Sequence, residues 1–177
     1  MTSTRRRGKS LAGPRAALVA ALLGGMAFSV AGLGLIVAGG FAAFANTTER
    51  VVSNPRTGLA IDGFDPVAYF IDEAARLGRQ DFELRYRGAT WRFRNPGNRA
   101  AFVDSPSDYE PRFGGYDPVA IGRGAPVPGN PEIWLIVGQK LYLFYDQQAR
   151  DEFKADPRRL SMQAEARWPD VIKVLSQ

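Results

Sequence analysis

The feature that most limits what this chain can fold into is an internal repeat. Gly63-Phe64-Asp65-Pro66-Val67-Ala68 returns as Gly115-Tyr116-Asp117-Pro118-Val119-Ala120. Further on, Phe93, Arg99, Phe102 and Pro106 match Phe144, Arg150, Phe153 and Pro157 at one constant offset. Self-similarity of this kind means one supersecondary unit used twice. Each copy reads as a loop, a strand pair, a short helix and a proline. The expected fold class is therefore α+β: two hairpin-plus-helix repeats about a pseudo-twofold, with a mainly antiparallel sheet.

The first hairpin is legible in detail. Phe82, Leu84 and Tyr86 alternate with Glu83, Arg85 and Arg87, the period of a half-buried strand. A turn at Gly88-Ala89 predicts Tyr86 opposite Trp91 and Leu84 opposite Phe93 on the core side. On the outer side it predicts Glu83 opposite Arg94 and Arg85 opposite Arg92, with Arg87 beside them. Residues 133–137 and 141–145 are apolar on both faces and are expected to form the covered centre of the sheet. Asn95-Pro96 opens a helix to about Asp104, and Asp146 caps another to about Ala155. A C-terminal helix is expected from near Ser161, interrupted at Trp168-Pro169. Phe102, Phe153, Trp168, Val171 and Leu175 are the expected core contacts of these helices.

Ahead of the repeats, residues 16–45 carry no charge, and 18–37 are apolar or glycine apart from Ser29. About 20 such residues suffice to cross a bilayer as a helix. Arg5, Arg6, Arg7, Lys9 and Arg15 precede the stretch, so residues 1–15 are read as a cytoplasmic basic tail. That orientation puts residues 61–177 on the periplasmic side of the inner membrane, after a polar linker at 46–60. A cleaved signal is the competing reading, with Ala43-Phe44-Ala45 as the cleavage site and Arg5-Arg6 as a twin-arginine pair. The apolar region is longer than the ~7–15 residues of an ordinary signal. Arg7-Gly8-Lys9 also stands where apolar residues should follow the pair. An uncleaved single-pass anchor is therefore expected, and both readings export the domain. Gly24 and Gly25, with Ala20, Ala21 and Ala27, offer a small-residue face to another transmembrane helix, or else simply lower the hydrophobicity of an export signal.

Composition excludes several kinds of chemistry. The 177 residues include no Cys and no His. There is no disulfide, thiolate nucleophile, imidazole base, or zinc, copper or haem site of the usual ligands. Ser105, Ser107 and Ser161 have no histidine to activate them, so an enzyme would need Asp or Glu acid/base chemistry. No cofactor and no catalytic residue is expected. The net charge of +5 lies wholly in the tail, because the basic residues beyond it equal the 18 acidic ones in number. A neutral domain argues against nucleic acid as a partner.

Gly63-Phe64-Asp65-Pro66-Val67-Ala68-Tyr69-Phe70 is followed by Tyr86-Arg87-Gly88-Ala89-Thr90-Trp91-Arg92-Phe93, Asn98-Arg99-Ala100-Ala101-Phe102 and Phe113-Gly114-Gly115-Tyr116. Trp134-Leu135-Ile136-Val137, Lys140-Leu141-Tyr142-Leu143 and Trp168-Pro169 complete the series. In this order, over about residues 59–175, the chain resembles the YHS-domain proteins of bacteria. The resemblance implies a small exported protein of a kind that mostly has no assigned activity. Relatives of the domain in metal transporters and oxygenases imply metal binding in some cases. This chain departs from that pattern: Asp117 stands where a cysteine usually follows Gly-Gly-Tyr, and Ala68 where the shorter versions place another. Affinity for copper or other thiophilic metals is therefore not carried over.

Four groups of residues within the repeats are candidates for function. Asp65 and Asp117 hold equivalent places and, facing each other, would suit a hard cation or a shared proton. The plainer reading of Asp before Pro is a helix N-cap. Gly114-Gly115 is either a ligand-approaching loop or a tight turn between repeats. Tyr69, Tyr86, Tyr116, Trp134 and Tyr142 line a small-molecule pocket or pack as core. Arg85, Arg87 and Arg92 form a basic face that suits an acidic partner or anionic headgroups, or is merely solvated. The expected function is a non-catalytic accessory or interaction subunit of a membrane assembly. Its contacts would be the bilayer and other subunits, through Gly24, Gly25 and the arginine face. The alternative is an exported small-molecule or hard-metal binding protein.

Overall fold

The computed structural model describes residues 50–176. The residues read as a basic tail, as a membrane helix with Gly24 and Gly25, and as a competing cleavage site lie outside the described residues. Among the described residues no helix is long and apolar enough to cross a membrane.

Each repeat forms the expected hairpin followed by a helix, with a further short helix ahead of each hairpin. The first runs from a 3₁₀ turn at Ile61–Gly63 through α1 (Ala68–Ile71), β1 (Arg79–Tyr86), β2 (Ala89–Phe93) and α2 (Pro96–Asp104) to α3 (Pro106–Tyr109). The second runs from a turn at Arg112–Gly115 through α4 (Pro118–Gly122), β3 (Asn130–Val137), β4 (Lys140–Phe144) and α5 (Gln147–Ala155) to α6 (Pro157–Leu175). The caps expected for α2 and α5 are present: Asn95 accepts from Asn98 N and Asp146 from Ala149 N, each at 2.8 Å. Both helices press one phenylalanine onto their hairpin. Phe102 meets the rings of Tyr86, Trp91 and Phe93, and Phe153 meets those of Tyr142 and Phe144. Both phenylalanines are fully buried.

Three expectations are corrected. First, the turn of the first hairpin is Arg87-Gly88, both with positive φ, not Gly88-Ala89. A two-residue hairpin turn that follows the strand twist needs φ > 0 at both central residues, and its glycine fits the second place. The pairing is therefore Leu84 with Trp91, Tyr86 with Ala89, Glu83 with Arg92 and Arg85 with Thr90. Second, the strands make two separate two-stranded antiparallel ribbons, not one sheet. Third, α6 starts at Pro157, capped by Asp156, and continues through Pro169 to Leu175. Buried Leu160, Ala164 and Val171 hold one face of α6 to the core on both sides of the proline.

The β3–β4 ribbon is covered on both faces, as its apolar pattern requires. Trp134, Ile136, Leu141 and Leu143 join a cluster built around Tyr69, Trp91, Phe93 and Phe102. Ile133, Leu135, Val137, Tyr142 and Phe144 join a second cluster with Phe153, Leu160 and Val171. Residues 50–60, expected as linker, are folded. Val51 is buried, Val52 N donates to Gly114 O at 2.8 Å, and Ile61 N donates to Val52 O at 2.9 Å.

Candidate functional site

The two aspartates are structural caps. Asp65 is fully buried. Its Oδ1 accepts from Val67 N at 2.9 Å and Ala68 N at 3.4 Å, and its Oδ2 from Arg94 N at 2.8 Å and Asn98 Nδ2 at 2.6 Å. Asp117, equally buried, accepts from Val119 N at 2.8 Å and Ala120 N at 3.1 Å through Oδ1, and from Tyr145 N at 2.8 Å through Oδ2. Each carboxylate thus ties the first turn of a short helix to the end of its own hairpin. They share no hydrogen-bond partner. Among the described residues no three acidic side chains are grouped to hold a metal ion.

The five aromatic candidates divide between the two cores. Tyr69, Tyr86 and Trp134 belong to the first cluster, and Tyr116 and Tyr142 to the second. The Tyr69 hydroxyl donates to Pro131 O at 2.9 Å. Burial, then the charges of Asp65 and Glu132, push its pKa far above the ordinary phenol value, so it stays protonated.

The expected arginine face is partly neutralised: the corrected register sets Arg92 against Glu83, and Glu110, outside the hairpin, holds Arg87. Arg92 Nε meets Glu83 at 2.8 Å. Arg87 Nη1 donates to both oxygens of Glu110, at 2.8 and 3.0 Å. Arg85 lies opposite Thr90 and has no ion pair among the described residues. The like-charge opposition of Arg85 and Arg92 does not occur.

The larger charged feature is a cleft of about 760 Å³ on the side where Arg50 leads into the domain. Its cations are Arg50, Arg87, Arg112 and Lys140; its carboxylates are Glu110 and Glu165; Phe113 and Trp168 supply aromatic surface. Arg112 Nη2 lies 2.8 Å from Glu165, and Lys140 Nζ lies 3.6 Å from Asp108. Gly114 forms part of the wall, at φ +62°, so close to Arg50 that a Cβ there would stand 1.7 Å from the Arg50 carbonyl oxygen. The Gly114-Gly115 pair is thus a tight turn that also closes on the incoming chain. None of the five aromatic candidates lines this cleft. Glu110, Arg112, Lys140 and Glu165 carry no motif; only the folded chain brings these distant positions together.

Glu110 is the one cleft carboxyl with a shifted titration. Burial raises its pKa above 4.5, against the opposing pull of Arg87, Arg112 and Lys140. A carboxyl whose folded pKa is raised favours the folded state while protonated, and that contribution is lost as pH climbs through the folded pKa. Glu110→Gln should therefore flatten the fall in stability from about pH 4.5 to neutrality. Gln still accepts from Arg87, so the loss at pH 7 should stay below about 1 kcal/mol. Urea unfolding of both proteins across that range checks it. An unchanged pH slope, or a loss above about 2 kcal/mol at pH 7, would contradict burial as the dominant effect.

No protein-family model, curated protein or solved structure matches the chain.

Proposed function

We propose that this chain is a membrane-anchored, non-catalytic YHS-like domain that serves as an accessory or interaction subunit of an inner-membrane assembly. The charge-free stretch 16–45 behind a basic tail supports the anchor, with Gly24 and Gly25 as a contact for other membrane helices. The absence of His and Cys supports a role without catalysis. The observation that carries the reading is the cleft beside Arg50, where four cations stand against two carboxylates over aromatic surface. Acidic side chains of a partner would meet the cleft cations that Glu110 and Glu165 do not already hold, Arg50 and Lys140. This cleft replaces the flat face of Arg85, Arg87 and Arg92 as the docking surface, with Arg87 common to both.

The test is the native mass of the full chain extracted from its own membranes in mild detergent. The wild type should migrate in a particle much larger than 19.4 kDa. Arg50→Glu with Lys140→Gln should release it, lowering the assembled fraction at least tenfold while its melting temperature stays near that of the wild type. A wild-type chain running alone at intact mass sinks the subunit reading. A chain beginning at Asn46 sinks the anchor.

A further inference from the structure

The docking cleft opens where the chain enters the domain. Arg50 lines it, Val51 is buried, and Val52 N donates to Gly114 O at 2.8 Å. Gly114 packs so tightly against the Arg50 carbonyl that the Arg50 backbone is fixed at the rim of the cleft. The sequence limits how far that rim stands from the charge-free stretch. The stretch runs to Ala45 with Phe41 and Phe44 near its end, and only residues 46–49 separate Ala45 from Arg50. A tether of that length spans at most ~18 Å when fully extended.

We infer that the cleft takes a juxtamembrane acidic segment, the stretch of another subunit that directly adjoins its own transmembrane helix. This rests on the reading of the chain as an anchored subunit, and adds where on the partner the contact lies. A tether too short to span two sites lets them meet hardly at all, so partner surfaces far above the bilayer are out of reach. Charge sets the polar part of the contact. Glu110 holds Arg87 and Glu165 holds Arg112, which leaves Arg50 and Lys140 for incoming carboxylates. Phe113, Trp168 and Ile172 line the same cleft, so the segment carries an apolar side chain beside its acids. A lipid headgroup brings negative charge but no such side chain, and the two resident carboxylates repel its phosphate.

The test lengthens the tether of the full chain between Thr48 and Glu49 and reads native mass in mild detergent. A helical Ala/Glu/Lys spacer of about 20 residues adds ~30 Å of stiff separation, whereas a Gly/Ser run of equal length folds back. The stiff spacer should lower the assembled fraction about tenfold below that of the flexible one. Equal assembly of the two variants overturns the juxtamembrane contact and leaves the subunit reading standing. A wild-type chain that runs alone overturns both. For the full chain alone in vesicles, tryptophan emission should be the same in phosphatidylcholine and in phosphatidylglycerol. A difference that Arg50→Glu with Lys140→Gln abolishes gives the cleft to lipid headgroups and overturns the inference.

Discussion

Asp65→Ala should cost the domain more than about 4 kcal/mol, a large share of the ~5–15 kcal/mol that holds an ordinary domain together. The substitution strands three donors in a buried place, Val67 N, Arg94 N and Asn98 Nδ2, while Ala68 N keeps its bond to the Asp65 carbonyl. Each buried donor left without an acceptor costs ~1–3 kcal/mol, and no side chain nearby is free to replace the carboxylate. Asp117→Ala also strands three donors, Val119 N, Ala120 N and Tyr145 N, and should cost about as much. Urea unfolding followed by the fluorescence of buried Trp91 measures both. A loss under about 1 kcal/mol for Asp65→Ala would mean that the carboxylate is kept for chemistry and not for structure.

Gly78→Ala and Gly129→Ala should each cost more than about 3 kcal/mol, for a reason that neither residue's own conformation supplies. A Cβ on Gly78 would lie 2.4 Å from the Arg92 carbonyl carbon and 2.6 Å from Phe93 N. On Gly129 it would lie 2.7 Å from Leu143 Cβ and 2.8 Å from Gly115 O. The obstacles are mainly backbone, which no rotamer change moves aside. These glycines hold equivalent places, and each donates its N–H to the glycine that ends its repeat's 3₁₀ turn, Gly63 or Gly115. Gly124→Ala is the control: its φ of +86° is costly for alanine but its Cβ meets nothing, so about 1 kcal/mol is expected. Equal losses at Gly78 and Gly124 would show that backbone approach does not set the cost.

The repeat made the architecture legible because it is written in residues with fixed geometry. Asp-Pro and Asn-Pro set helix starts, and Pro106 and Pro157 mark the ends of the helices before them. What escaped were positions where tertiary structure overrode a local preference. Arg87 accepts positive φ to complete the turn, which shifts the hairpin register and sets Arg92 against Glu83. Pro169 sits inside α6, held on either side by buried residues. The capping role of the aspartates was visible in the two residues after each. That Asn98 reaches back to Asp65 was not visible, because the bond joins residues that only the folded repeat brings together. The cleft was not visible at all, since Arg50, Arg87, Glu110, Lys140 and Glu165 meet only after both repeats have folded.

Strand β4 carries one more consequence. Its residues alternate between the two clusters, Leu141 and Leu143 in one, Tyr142 and Phe144 in the other, while β2 gives its buried side chains to the first alone. The first repeat therefore does not own its core, whereas the second cluster is built from the second repeat with only Val52 added from the entering chain. Cut between the repeats, the first half would lose the wall of its core that Leu141, Leu143 and Trp134 supply. The second half would expose one whole face of its ribbon. Such halves are adhesive by construction. If one gene segment doubled to make this chain, the ancestral product could have been stable only as a pair of identical molecules, and the duplication turned that association into a single cooperative unit.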